Sequence, residues 1–467
     1  MGLVLKSLFM RQRPAIARIV CRITRQASVF GGMVAVLVMI PSAAGHAGQR
    51  LYDMRDIIDQ PHPFEAAPNA RTSAPAAPIY RPTASTTGSS QYGREAPAND
   101  FETLVQRRDA LGSPKSFGDP EIAAAPPNVR LSISGHVNRA LLFIDDGSDD
   151  GTDEDKNFFN VDSDNSATRL RFLAYGRIDE NRSIGSNIVL QFQSNSTSSI
   201  SQSDTSSTED FVGTRNLEVW FSHAKYGEIW MGKGHTASDD TTERDLSRTG
   251  VAAYSGVADM AAGIEFRVPE GRLSGISMDD VFNNLDGLGR DNRLRYDTPR
   301  FRGANIAVSL VDGGNWDGAL IYSQKLPKRH LALVAAVHYA NAQSTRDFDQ
   351  IGGSVSVLNE TNGLNVTAAL GIRDQVAGDR KFAYVKIGWQ AKFFRVGKSN
   401  MSLDFFGTRD AVDFEDDEGL SAGLFIVQHF REVGSELYGG VRWYSYEDST
   451  TNYQDVVAVT IGVRQRF

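Results

Sequence analysis

Cysteine is all but missing from this chain. Its 467 residues hold one, Cys21, inside an N-terminal segment that reads as a removable leader. An exported protein with no cysteine left forms no disulfides, so backbone pairing and side-chain packing must hold it together. Long apolar runs are missing too. After residue 47 no stretch approaches the ~18 consecutive apolar residues of a spanning helix, which excludes helical membrane crossings. Histidine is sparse: beyond the leader, His62, His136, His223, His235, His330, His338 and His429 lie scattered. Hydrolysis needs a nucleophile or water activated by a histidine beside a carboxylate. His235 lies near Asp239 and Asp240, but no nucleophile pattern accompanies it, so no catalytic residue is assigned. Positive charge is short as well. The chain has 49 Lys and Arg against 57 Asp and Glu, and the leader holds six of the basic residues and none of the acidic ones. That leaves 43 against 57, a net charge of −14, a balance that excludes nucleic acid as a partner.

The N-terminal segment carries Lys6, Arg11, Arg13, Arg18, Arg22 and Arg25, then an apolar run from Val29 to Ile40, then small residues through Ala47. This is the pattern of a signal peptide, residues 1–47, cleaved after Ala47 or Ala44. Residues 48–127 are rich in Pro, Ala, Ser and Thr and have little with which to build a core. They read as a flexible periplasmic extension, with a short helix expected from Asn99 or Asp100 through Leu111.

Beyond residue 128 the apolar pattern changes to a period of two and keeps it to the end. Side chains of a strand alternate between faces. In the last strand Val457, Val459, Ile461, Val463 and Phe467 share one face, while Ala458, Thr460, Gly462, Arg464 and Arg466 share the other. Leu364, Val366, Leu370 and Ile372 likewise alternate with Asn365, Thr367 and Arg373. Mean hydropathy is only −0.31. A transmembrane barrel wall gives such an average, because half of each strand faces water. The charges on the second face are too many for a sandwich core and suit a wet lumen. The expected fold is all-β, a transmembrane antiparallel barrel of about sixteen strands over residues 128–467. Ala262–Val268 then belongs to a long loop or forms a further strand. Aromatic residues near the segment ends (Phe158, Phe159, Trp220, Trp230, Trp316, Phe394, Trp443, Tyr446) suit an interfacial girdle. Arg139 breaks the pattern: alternation aims it outward, where an arginine near the midplane costs about 2–4 kcal/mol. A bulge, a subunit interface or a place near the rim could relieve it.

Four stretches resemble the trimeric porins of Gram-negative bacteria. ISGHVNRALLFIDDG (Ile133–Gly147) resembles their opening strand and VDSDNSATRLRFLAYGRI (Val161–Ile178) their second. RDNRLRYDTPRF (Arg290–Phe301) resembles the strand after their inward loop, and the terminal strand ends on Phe467. The resemblance implies a sixteen-stranded barrel in the outer membrane, short periplasmic turns, long external loops and a third loop folded into the pore. It also implies a homotrimer, contact with outer-membrane lipid and lipopolysaccharide, and delivery to the barrel-assembly machinery through the strand ending at Phe467. Small hydrophilic solutes and ions would diffuse through without turnover, cofactor or metal. A solute-specific channel, or a barrel-borne hydrolase, is the alternative.

A pore selects by width and by field, and opposed rings of charge at the narrowest point supply the field. Parity turns Arg169, Arg171, Arg293 and Arg295 inward as a basic wall, with Lys233 and Arg177 as weaker candidates. The inward loop is expected between Gly234 and Gly289, with Asp239, Asp240, Glu243 and Asp245 as its acids. Loops this long are uncommon unless functional. The acidic run Asp145–Asp155 fails as a calcium loop, because an EF-hand needs Gly and Glu at its sixth and twelfth positions, where Asp150 and Lys156 stand.

Overall fold

The computed structural model describes residues 121–123, 129–147, 156–207, 212–343, 347–375, 378–412 and 416–467. The leader and the expected helix at residues 99–111 lie outside them. Among the described residues, sixteen antiparallel strands close into a barrel. The first strand, β1, is Val129–Asp145. Next comes β2, built from Lys156–Val161 and Arg169–Arg177, then β3, Arg182–Phe192, β4, Val212–His223, and β5, Gly227–His235. After a long insertion follow β6, Arg290–Asp297, β7, Ala304–Val311, β8, Asn315–Leu326, and β9, Leu331–Asn341. Then come β10, Phe348–Asn359, β11, Leu364–Gln375, and β12, Gly378–Phe394. The wall ends with β13, Gly397–Arg409, β14, Glu418–Phe430, β15, Ser435–Glu447, and β16, Val456–Arg466. Each strand pairs with the next, and β16 returns to β1 with Leu141 opposite Ile461. Closure leaves no unpaired edge, which lipid would not tolerate.

The alternation follows the sequence. On the outer face Leu217, Leu294, Leu310, Val366, Ile387 and Leu424 are 47–67% exposed. So large an apolar surface on nearly all the strands suits hydrocarbon and not water. At one end the connections are tight, as at residues 360–363, where Gly363 takes φ 78° and a Cβ would sit 2.0 Å from the Gln390 carbonyl oxygen. Only glycine fits there. At the other end the connections among the described residues differ in length. Residues 312–314 form a three-residue turn, and the large connection lies between His235 and Arg290.

Two local breaks matter for the interior. The two halves of β2 pair with opposite halves of β1 (Leu141 with Asn160, Ser134 with Arg171), and residues 162–168 detour into the lumen between them. There Asn165 Nδ2 donates to the Ala252 carbonyl at 2.8 Å and Arg464 donates to Ser166 Oγ at 2.6 Å. Arg139 does face outward, between the ends of β2's first half and β3. Its guanidinium donates to the Ser194 carbonyl at 2.6 Å and to the carbonyl and side chain of Asn160 at 3.0 and 2.9 Å.

The apolar core lies inside the barrel, contrary to the uniformly wet lumen that alternation suggests. Val257, Met260, Ile264, Phe266, Met278, Val281 and Phe282 of the long loop pack against inward Phe382, Tyr384, Phe406, Tyr438, Tyr444 and Tyr446. The aromatic girdle is correspondingly thinner than expected. Phe158 and Trp316 are exposed outside, but Phe159, Trp220, Trp230 and Tyr446 turn inward and Trp443 is only 7% exposed. The rings of Trp220 and Trp230 meet on the inner face, 5.7 Å apart and tilted by 37°. Aromatics near strand ends obey the strand's parity before any interfacial preference. Ala262–Val268 contributes no barrel strand. Glu265–Arg267 pairs with Leu273–Ser277 as a hairpin inside the loop. A strand at Glu121–Ala123 pairs with Arg130–Ser132 of β1, within the stretch assigned from sequence to the extension.

Candidate pore constriction

The loop leaves β5 at His235 and is fastened to the inner wall strand by strand. Ala237 N donates to Ser309 Oγ of β7 at 2.7 Å, and Ser238 N to Asp317 of β8 at 2.9 Å. Thr241 meets His338 of β9. Arg244 N and Leu246 N donate to Ser354 and Ser356 of β10 at 2.9 and 3.0 Å. Thr249 meets Ser402 of β13 at 3.0 Å. The inward serines and threonines thus satisfy loop backbone that is shut off from water. Farther on, Tyr444 of β15 donates to the Val257 carbonyl at 2.7 Å, and Thr197, beyond β3, to the Asp259 carbonyl at 2.6 Å. The chain thus spans the lumen before returning to β6.

The predicted acids take two different places. Asp245 reaches the far wall, where it pairs with fully buried Lys386 at 2.8 Å and accepts from Thr367. Lys386 also donates to the Ala253 carbonyl at 2.6 Å. Asp245 is buried, yet Lys386 holds its carboxyl below the usual range. Asp239, Asp240 and Glu243 gather instead near the loop's root with His235, Asp286 and Arg290. His235 Nδ1 stands 2.8 Å from Asp239 and 3.4 Å from Asp240. Asp286 accepts from Asp240 N at 2.6 Å and from Thr242 N at 2.9 Å. Burial pushes the Asp239 carboxyl up, but Arg290 and His235 outweigh it and hold it well down. Burial pushes Asp286 up to about 8, reinforced by Asp239 and Asp240. Glu243 is raised by burial and by the charges of Asp286 and Asp240.

The four predicted arginines all face inward and are buried. Arg293 and Arg295 have local work. Arg293 pairs with Glu218 at 2.5 Å, and Arg295 binds Asp297 through Nε and Nη2 at 2.8 and 2.9 Å. Both also donate to loop-root carbonyls, Arg293 to His235 at 2.9 Å and Arg295 to Thr236 at 2.6 Å. Gly234 makes room for the first pair, since a Cβ there would lie 2.1 Å from Glu218 Oε2. Arg169 and Arg171 stand apart from them on β2, three strands intervening, with Arg169 donating to the Ala167 carbonyl at 3.0 Å. Lys233 takes the outward register opposite Leu217, and Arg177 lines the rim at the tight-turn end.

One inward cation escapes strict alternation. Val189 pairs with Asn216 and Leu190 with Thr214, so Arg215 is the extra residue of a β-bulge. Bulges re-aim a side chain. Arg215 meets Gln191 in the lumen and acts electrostatically on Asp239 and Asp259 of the loop. Nothing in residue type marks that bulge. Below, a cavity of about 390 Å³ opens at the tight-turn end, lined by Tyr175, Arg177, Arg182, Arg244, Asp297 and Arg300.

A closed barrel with a lipid-facing skin and a charged, loop-narrowed interior is a transmembrane channel. A family model for Gram-negative porins matches residues 121–467, and the chain belongs to that family. It is therefore an outer-membrane channel for small solutes. Among solved structures it is similar to the anion-selective porin from Comamonas acidovorans, with 13% identity and a TM-score of 0.50 over 73% of this chain and 100% of that one. It is also similar to OmpF of Salmonella typhi (10% identity, TM-score 0.48, 74% and 100% covered). DcaP of Acinetobacter baumannii matches at 11% identity and TM-score 0.47, with 73% and 99% covered. No curated protein matches the chain.

Proposed function

We propose that the channel passes small hydrophilic solutes and ions by diffusion, without turnover, through a narrow zone between opposed charges. Arg169, Arg171 and Arg215 stand on the β2–β4 side, with Arg293 and Arg295 braced by acids beside them. Asp239, Asp240 and Glu243 stand on the loop, while Asp245 anchors it. The observation that carries this reading is the placement of four buried inward arginines on the wall around a loop that brings Asp239, Asp240 and Glu243 together inside the barrel. Charges facing each other in a confined bore orient and sort ions. Planar-bilayer recording across a KCl gradient tests it. Stepwise conductance with a defined reversal potential supports the proposal, and no conductance defeats it.

A solute-specific channel is the second reading. The apolar core that the loop builds inside the barrel favours it, because a filled bore passes fewer kinds of solute. Saturable uptake into proteoliposomes, blocked by one solute class, supports this version over general diffusion. Three copies associate, in this reading, along the wall bearing Arg139, Asn160 and Ser194, whose outward polar groups are costly against lipid. Chemical cross-linking in mild detergent tests that. In this reading export removes the leader, with cleavage after Ala47 or Ala44, which N-terminal sequencing of the mature protein checks.

A further inference from the structure

At the tight-turn end the bore opens into the cavity of about 390 Å³ beneath the inward loop. Arg244 of the loop lines its roof, buried, with its backbone N–H on Ser354 Oγ at 2.9 Å. Three connections make its rim, contributing residues 179–181, 224 and 298–300. Gly227 draws the last two of these together. It takes φ 89°, and a Cβ there would lie 2.1 Å from the Asp297 carbonyl oxygen.

The cavity is singled out by which of its charges are already engaged. Asp179 is taken by Arg182 at 2.5 Å and Asp297 by Arg295 at 2.8 Å, while Glu228 accepts from Ser222 Oγ at 3.2 Å. Arg177 and Arg300 differ. Both are exposed, and among the described residues neither guanidinium has a hydrogen bond or an ion pair. Glu180 is the one acid of the lining in the same state. Backbone that is already ordered carries both cations. Arg177 keeps the inward register of Arg169 and Arg171, and the turn after it is fixed by Asp179, which accepts from Asn181 N and Arg182 N at 2.9 and 2.8 Å. Arg300 sits in a turn pinned on both sides, Thr298 N donating to the Ile306 carbonyl at 2.9 Å and Phe301 N to the Ala304 carbonyl at 2.8 Å. Free arginines on an open surface are ordinary. Two that line one walled cavity raise the concentration of anions within it.

We propose that this cavity binds small dicarboxylate solutes, one carboxylate on Arg177 and the other on Arg300. Such a site rests on the solute-specific reading above and names the class of solute. A guanidinium presents a planar fork that grips a carboxylate through two parallel hydrogen bonds. The two forks rise from places four strand spacings apart, on the order of 19 Å along the wall. Their long side chains close part of that gap. A compact anion such as acetate or phosphate therefore meets one fork, whereas an anion charged at both ends meets both. Lying beneath the loop, the bound solute sits between the constriction and the tight-turn mouth.

The test is calorimetric titration of succinate into the full-length protein, folded in detergent at low salt, beside variants Arg177→Gln and Arg300→Gln. Arg302→Gln is the control, since that guanidinium lies over the Phe301 ring at 5.3 Å and does not line the cavity. One succinate per chain, bound at least fivefold more weakly by both cavity variants and unchanged in the control, supports the site. The wild-type chain should also bind acetate and inorganic phosphate at least tenfold more weakly than succinate. No succinate binding to the wild-type chain overturns the site, and so does undiminished binding in both variants. Equal binding of acetate or phosphate overturns it too, because attraction between charges is then enough. Uptake into proteoliposomes is measured separately. Saturable uptake of another solute class without succinate binding sinks the dicarboxylate site and spares the solute-specific channel. Succinate binding with uptake that never saturates does the reverse.

Discussion

Arg215 shows how a single side chain is placed by backbone irregularity and not by its neighbours in sequence. With strict alternation it would share the outward face of Leu217. The bulge opposite Val189 and Leu190 sends it to the lumen. Replacing it with alanine removes a cation from the proposed basic side, so the reversal potential shifts toward cations. The shift is larger at 0.1 M than at 1 M KCl, because the screening length falls from about 10 to about 3 Å. An unchanged reversal potential at both salts removes Arg215 from the selectivity zone. Asp259 gives the same region a pH response. Burial, and then the charge of Asp164, push its carboxyl up to about 7. Asp279 adds to the rise, while the Tyr254 hydroxyl and Arg215 oppose it. The folded protein therefore keeps that proton between roughly pH 4 and 7, where an unfolded chain has lost it. Stability contributed there declines as pH rises, while the lumen gains a negative charge near neutrality. Cation preference should climb through about pH 7 in wild type and stay flat there in Asp259→Asn. A wild-type profile with no inflection near that pH contradicts the assignment.

At the level of elements, the inward loop is held by the wall as firmly as by itself. The Lys386–Asp245 pair is the strongest of these ties, with Lys386 fully buried and bonded also to the Ala253 carbonyl. Removing one partner of a buried pair costs about 3–5 kcal/mol, because the other charge is left uncompensated. Lys386→Met should loosen residues 236–289, seen as faster proteolysis within the loop and noisier, larger conductance steps. The double variant Lys386→Met with Asp245→Asn removes both charges and should recover part of the loss. If the single and double variants behave alike, the pair contributes no coupling. Strands were the legible part of this architecture. Alternation placed Val366, Ile372 and Val463 outward and Arg169, Arg171 and Arg295 inward, and it bounded the long loop to within a residue or two. Partners were not legible. Whether Asp245 faces the bore or Lys386, and whether Arg293 faces solutes or Glu218, depends on contacts 75 or more residues apart. No local pattern reports those. The aromatic set misled for a related reason: Trp220 and Trp230 sit at strand ends as girdle residues do, but their parity is inward.

Taken whole, the molecule separates two jobs that most folds combine. Strand pairing closes the wall without help from the loop: β5 and β6 are neighbours from Glu228 opposite Asp297 to His235 opposite Arg290, and residues 236–289 add no barrel strand. Loop residues such as Met260, Ile264, Phe266 and Phe282 instead bury apolar surface inside the bore, each contributing about 1.5–3 kcal/mol if fully buried. The two contributions can therefore be pulled apart. Replacing residues 251–282 with a short Gly-Ser link leaves every wall pairing intact, including the return of β16 to β1. It strips the cover from Phe382, Phe406 and Tyr444, which then face water. The expected variant still folds in detergent and inserts into bilayers, unfolds at a lower temperature, and conducts more per channel with weaker ion selectivity. Far-UV circular dichroism through a thermal ramp reads the first pair of outcomes, and single-channel recording the second. A variant that folds and inserts but keeps the wild-type conductance shows that the loop core lies off the conducting path. The bore would then have to run wholly along β2–β6, past Arg171 and the Trp220–Trp230 pair.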